Sequence, residues 1–156
     1  MTSALQILFH GVRGSLASPS AETAMVGGNT SCVEVMAGEQ RIVFDAGTGL
    51  RALGNRLMGG GVSHTTILLS HLHWDHIQGL PFFTPLYVPG NRVDVMSGPN
   101  GYMSLREALK KQMSPPFFPV SMDDVAPQLC VRDLAPTERF NLGDLRVTTA
   151  RLNHAW

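Results

Sequence analysis

The chain has 156 residues, 44% apolar and 15% charged, which suits one folded domain rather than a disordered segment. Lysine plus arginine number 12 and aspartate plus glutamate number 12, so no net positive field holds polyanions in bulk, although a phosphodiester substrate stays open. No apolar run approaches the roughly 18 residues of a membrane span, and the N-terminus lacks signal-peptide character. A cytoplasmic protein with no membrane association is the expectation.

In chain order, "ALQILF" reads as a first strand and "GVRGSLASPSAETAMVGGNT" as a long loop. "SCVEVMA", the turn "GEQ" and "RIVFDAG" form a predicted hairpin, because apolar residues alternate on both sides of a glycine turn. "GLRALGNRLMGGG" places Leu50, Leu53 and Leu57 on one helical face and stops in glycines. "TTILLS" is an apolar run of buried-strand type. "NRVDVMSGP" predicts another strand, and "SLREALKKQM" a surface helix capped by Ser104. The stretch 98–127, with Phe117 and Phe118 among prolines, reads either as a lid or as simple core cover. "QLCVRDL" and "LRVTTARLNH" predict two late strands. Cys32 and Cys130 form no CxxC pair and read as buried free thiols.

"SHLHWDHIQG" stands out from this background. Three of the six histidines fall within six residues, with an aspartate among them, directly after a predicted strand. His71 and His73 are two apart, so in extended chain their rings leave on one side and can grip one metal ion. Asp75 and His76 follow after one spacer and can reach a second ion. Packing requires no such cluster, and burying it without a metal strands polar groups. His10 and His64, each isolated, read as surface or hydrogen-bonded residues.

"HLHWDH" resembles the HxHxDH signature of the metallo-β-lactamase superfamily of metallohydrolases. "GVRGS" and "GGNTSCVEV" are similar to its phosphodiesterase branch, which includes ribonuclease Z, and "IVFDAGTGL" to its first motif. The resemblance implies an α+β fold, the αββα four-layer sandwich, as a single domain over 1–156. It implies that His71, His73 and His154 bind one metal, and that Asp75 and His76 bind the other, with Asp75 as the catalytic candidate. Asp45 is then a supporting group behind the ligands; its alternative is a turn-forming Asp before Gly47. Arg13 and Asn29 are candidate substrate contacts. Two zinc ions are implied, with manganese or iron as alternatives.

The superfamily pattern also uses a bridging aspartate and a last histidine in its second half. Asp123, Asp124, Asp133 and Asp144 all precede His154, so the expectation is an N-terminal portion with the second half largely missing. An apolar sheet left uncovered in this way implies a homo-oligomer or a complementing segment. Two functions compete. One is hydrolysis of a small-molecule or nucleotide phosphodiester by a metal-bridged hydroxide, with thioester, lactone or β-lactam hydrolysis as variants. The other is an inactive metal-binding half-domain that self-associates. A cupin-like oxygenase is disfavoured, because no glutamate follows shortly after His73.

Overall fold

A computed structural model of the chain describes residues 5–125 and 128–154. Strands β1 (Leu5–Gly11), β2 (Cys32–Ala37), β3 (Gln40–Phe44), β4 (His64–Leu69), β5 (Arg92–Ser97) and β6 (Gln128–Asp133) line up in sequence order in one sheet. The expected hairpin is β2–β3, paired antiparallel and closed at Gly38 with φ 61°. From β3 to β6 every pairing is parallel. Parallel neighbours need a crossover, and helices α1 (Gly49–Leu57) and α3 (Leu105–Gln112) lie in two of them.

The period-two alternation of the strands divides the core. Val43, Ile67, Leu69, Val93 and Val95 face the helices, where Leu50, Leu53 and Leu57 of α1 and Leu105 and Leu109 of α3 are buried. Ile42, Leu68 and Met96, one position out of phase, face the opposite side. There a hairpin of β7 (Arg139–Leu142) and β8 (Leu145–Thr148) lays Phe140, Leu142, Leu145 and Val147 over them. This double covering is why "TTILLS" reads as a continuous apolar run.

Several expectations need correction. β7 was not anticipated, although its Phe140 and Leu142 alternate with Arg139 and Asn141. β8 stops at Thr148, so the predicted strand through His154 is short by six residues. Cys32 is fully buried, and that burial, with the nearby Glu34 and Asp45 charges, pushes its thiol up to about 12. Cys130 is exposed, on the last strand of the sheet.

The stretch 98–127 bridges β5 and β6, and its Leu105, Leu109, Met113, Met122 and Val125 belong to the main core. Ser104 caps α3 as expected, with its side chain accepting from the Glu107 N–H in a reciprocal capping box. Phe117 is exposed, and residues 126 and 127 lie outside the described residues. Among the described residues, no helix is long and apolar enough to cross a membrane.

Candidate metal centre

Asp45 and His71 follow the carboxyl ends of neighbouring parallel strands β3 and β4, where α/β sheets commonly present ligands. The Asp45 N–H donates to the Leu68 carbonyl at 3.0 Å, keeping the two strand ends together. Asp45 itself turns away with φ 63°, a left-handed conformation that Asp tolerates better than most residues. Ala46 N–H then donates to the His76 carbonyl at 2.7 Å, and Gly79 N–H to the Ala46 carbonyl at 2.8 Å. The loop and the short helix α2 (Trp74–Ile77) are therefore stitched backbone to backbone.

Such close approach needs glycine on both sides. A Cβ on Gly79 would stand 1.9 Å from the Gly47 carbonyl oxygen, and one on Gly47 would stand 2.5 Å from that of Asp75. From the α3 side, the buried Gln112 amide donates to the Ile77 carbonyl at 2.8 Å.

The histidines converge. The His71 ring centroid lies 4.4 Å from that of His73, 4.1 Å from His76 and 4.6 Å from His154, and His73 lies 5.3 Å from His154. One ligand atom each from His71, His73 and His154 falls within 4.8 Å of the others. His154 comes from the tail after β8 and not from a strand end, and it nonetheless reaches the first two rings. Thr149 N–H donating to the Glu138 carbonyl at 2.9 Å anchors the start of that tail. His76 Nε2 lies 3.3 Å from Asp75 Oδ2, so these two form an adjoining imidazole–carboxylate pair.

His71 Nε2 is buried and, among the described residues, has no hydrogen-bond partner. A buried orphan imidazole nitrogen amid other imidazoles is what a metal ligand looks like before its ion is added. Burial, and then the proximity of His76, His73 and His154, push His71 down to about 4. The ring is consequently neutral at physiological pH, the form that binds metal. The donor set fits a divalent cation.

Behind the histidines stands Asp45, which is buried. Its Oδ1 accepts from the Ser70 N–H and Oγ–H, both at 2.8 Å. Its Oδ2 accepts from Ser31 Oγ at 3.0 Å and from His76 Nδ1 at 2.8 Å. These bonds tie Asp45 to His76 and to two serines, in addition to the turn its own backbone makes. Asp75 Oδ2 accepts from the Ser15 N–H at 2.7 Å, with Ser15 at φ 64°. Burial would raise the Asp75 carboxyl, but the Ser15 N–H and nearby His76 outweigh it and hold it below the usual range.

Arg13 and Asn29 belong to the same loop system, where both Val12 N–H and Arg13 N–H donate to the Asn29 carbonyl. Arg13 Nε is buried without a partner among the described residues, and Asn29 Oδ1 accepts from Thr48 Oγ at 3.1 Å. Sequence reasoning missed Ser15, Ser31 and Ser70. A serine beside a histidine or in a loop carries no signal of its own. The isolated histidines behave as expected, His10 bonding Glu34 at 2.9 Å and His64 bonding Asp94 at 2.7 Å.

The fold and the histidine centre together define a metallo-β-lactamase-type domain. Residues 40–156 match the model of the beta-lactamase superfamily domain, and the chain belongs to that family. It resembles the metallo-beta-lactamase fold protein YhfI from Bacillus subtilis at 15% identity and a TM-score of 0.56, over 89% of this chain and 49% of that one. For the short form of human tRNase Z the values are 24% and 0.53, over 84% and 46%. For a diphosphatase of the PhnP family they are 18% and 0.53, over 88% and 52%. At these identities the likeness is one of fold. The chain spans about half the length of the solved structures it matches. Among curated proteins none matches it.

Proposed function

We propose that the chain carries the histidine centre of a metal-dependent hydrolase acting on phosphodiesters of small molecules or nucleotides. The observation that carries this reading is the buried, unpartnered His71 Nε2 grouped with His73 and His154. His71, His73 and His154 would hold one divalent ion, and Asp75 with His76 a second. Imidazole and carboxylate donors suit zinc, with manganese or iron as alternatives. A bound divalent metal supplies Lewis acidity toward a phosphoryl or carbonyl oxygen and makes nearby water more acidic.

The protein's own part is geometric. Asp45 orients His76, the Ser15 N–H orients Asp75, and the glycines at 47 and 79 let the ligand helix sit against the Asp45 loop. Phosphodiesters are preferred over other esters on the resemblance of two loops to the phosphodiesterase branch. The loops "GVRGS" and "GGNTSC" place Ser15 and Ser31 on Asp75 and Asp45. The proteins of like fold do not choose among substrates, since a tRNase Z, a diphosphatase and a metallo-beta-lactamase are all among them. Arg13, with a free Nε, would meet a phosphate oxygen, and Asn29 would line the same side. Two free cysteines fit a reducing, cytoplasmic setting.

The test is metal content together with turnover of bis(p-nitrophenyl) phosphate and of a chromogenic β-lactam. Two metals per chain and phosphodiester turnover abolished by His73→Ala support the proposal. β-Lactam turnover alone would overturn the substrate class, and absence of bound metal would overturn the centre.

A second reading is favoured by one surface. Leu5, Ile7 and Phe9 of β1 and Phe44 of β3 are 63%, 52%, 69% and 45% exposed. By register they share one face with Val33 and Val35. Apolar area of this kind on an edge strand invites association. An inactive, self-associating half-domain, or one completed by another segment, predicts a species larger than the monomer in size-exclusion chromatography with light scattering. A stable monomer with a cooperative melt would overturn that reading.

A further inference from the structure

Ser70 stands between the Asp45 carboxylate and the first histidine of the cluster. Its Oγ donates to Asp45 Oδ1 at 2.8 Å and lies 2.9 Å from His71 Nδ1. A hydroxyl has one proton to give, and a carboxylate only accepts. With the proton committed to Asp45, the contact to His71 is a hydrogen bond only when Nδ1–H of the imidazole is the donor. That tautomer leaves the lone pair on Nε2, the buried nitrogen that has no partner. His76 reaches the same state directly, because its Nδ1 lies 2.8 Å from Asp45 Oδ2 and must be the donor there.

We propose that Ser70 is a positioning residue that holds His71 as its Nδ1–H tautomer, so that Asp45 presets the Nε2 atoms of both His71 and His76 for metal. The consequence for affinity rests on the metal-centre reading; the tautomer does not. A purely structural role for Ser70 is the competing account, since its backbone N–H also bonds Asp45. Ser31 separates the two. Its hydroxyl donates to the same carboxylate at 3.0 Å and, among the described residues, is hydrogen-bonded to no histidine.

The experiment uses the full chain and the variants Ser70→Ala, Ser70→Thr and Ser31→Ala. Long-range 15N–1H NMR of histidine-labelled, metal-free protein at neutral pH reads each tautomer. The expected result is Nδ1–H for His71 in the wild type, Ser70→Thr and Ser31→Ala, with Nε2–H appearing only in Ser70→Ala. His76 stays Nδ1–H throughout. Zinc competition against a chromophoric chelator is expected to show Ser70→Ala weakened about 10- to 100-fold, the range for groups behind metal ligands, and Ser70→Thr restored. Wild-type His71 found as Nε2–H, or Ser70→Ala matching Ser31→Ala in both measurements, would overturn the proposal. A wild type that takes up no zinc defeats the metal-centre reading, while the tautomer spectrum still decides the role of Ser70.

Discussion

Asp45→Ala is expected to weaken metal binding by about 100-fold and to lower stability by about 2 kcal/mol. Two separate losses combine. The carboxylate accepts four hydrogen bonds, from Ser70 twice, Ser31 and His76, and alanine leaves those donors without it. Alanine also fits poorly at φ 63°, where Asp and Asn are tolerated. Asp45→Asn separates the effects. It keeps the left-handed backbone and the side-chain volume but replaces one acceptor oxygen with an NH2 donor. Its melting temperature should stay near wild type while zinc affinity, read by chelator competition, falls about 10-fold. Unchanged affinity in Asp45→Asn would remove Asp45 from the metal centre.

Glu34→Ala is expected to cost about 3 kcal/mol of stability, at the lower end for breaking a buried ion pair because the arginine partners keep some exposure. Glu34 lies in β2 with 1% exposure and gathers partners from three other elements. His10 Nε2 of β1 is at 2.9 Å, Arg41 Nε of β3 at 3.0 Å, and the Arg56 guanidinium comes from α1. Burial by itself would raise this carboxyl; hydrogen bonds from His10, Arg41 and Arg56 outweigh it and hold the pKa below the ordinary glutamate value.

The sign of the pH dependence follows. The unfolded chain takes up the proton more readily than the folded one, so this stabilisation is complete above the unfolded pKa. It drains away as pH falls through the folded pKa. Glu34→Gln should accordingly be less stable than wild type at neutral pH, and the difference should shrink toward strongly acid pH. Denaturant unfolding of both proteins at neutral and acid pH checks this. A difference that grows on acidification would show that the Glu34 charge does not stabilise the fold.

The histidine centre was largely readable because its parts are close in sequence. His71, His73, Asp75 and His76 share one bend after one strand, so their spacing alone limits where their side chains can go. Alternation in "SCVEVMA", the leucine spacing of α1 and the Ser104 cap of α3 were readable for the same reason: each is a local rule acting over a few residues. β7 was not read, though its alternation was present, because four residues between turns are too few to stand out. The Glu34 network was invisible, since its partners lie 24, 7 and 22 positions away and meet only across strands and helix.

The order of residues thus determined by itself the histidine cluster, the helix faces and most strands, where covalent spacing does the placing. Tertiary structure alone decided that His154 arrives from a tail, that Asp45 gathers two serines and a histidine, and that Glu34 ties three elements to its own strand. Those contacts depend on which strands become neighbours. That choice comes from burying apolar faces over the whole domain, and no short stretch of chain encodes it.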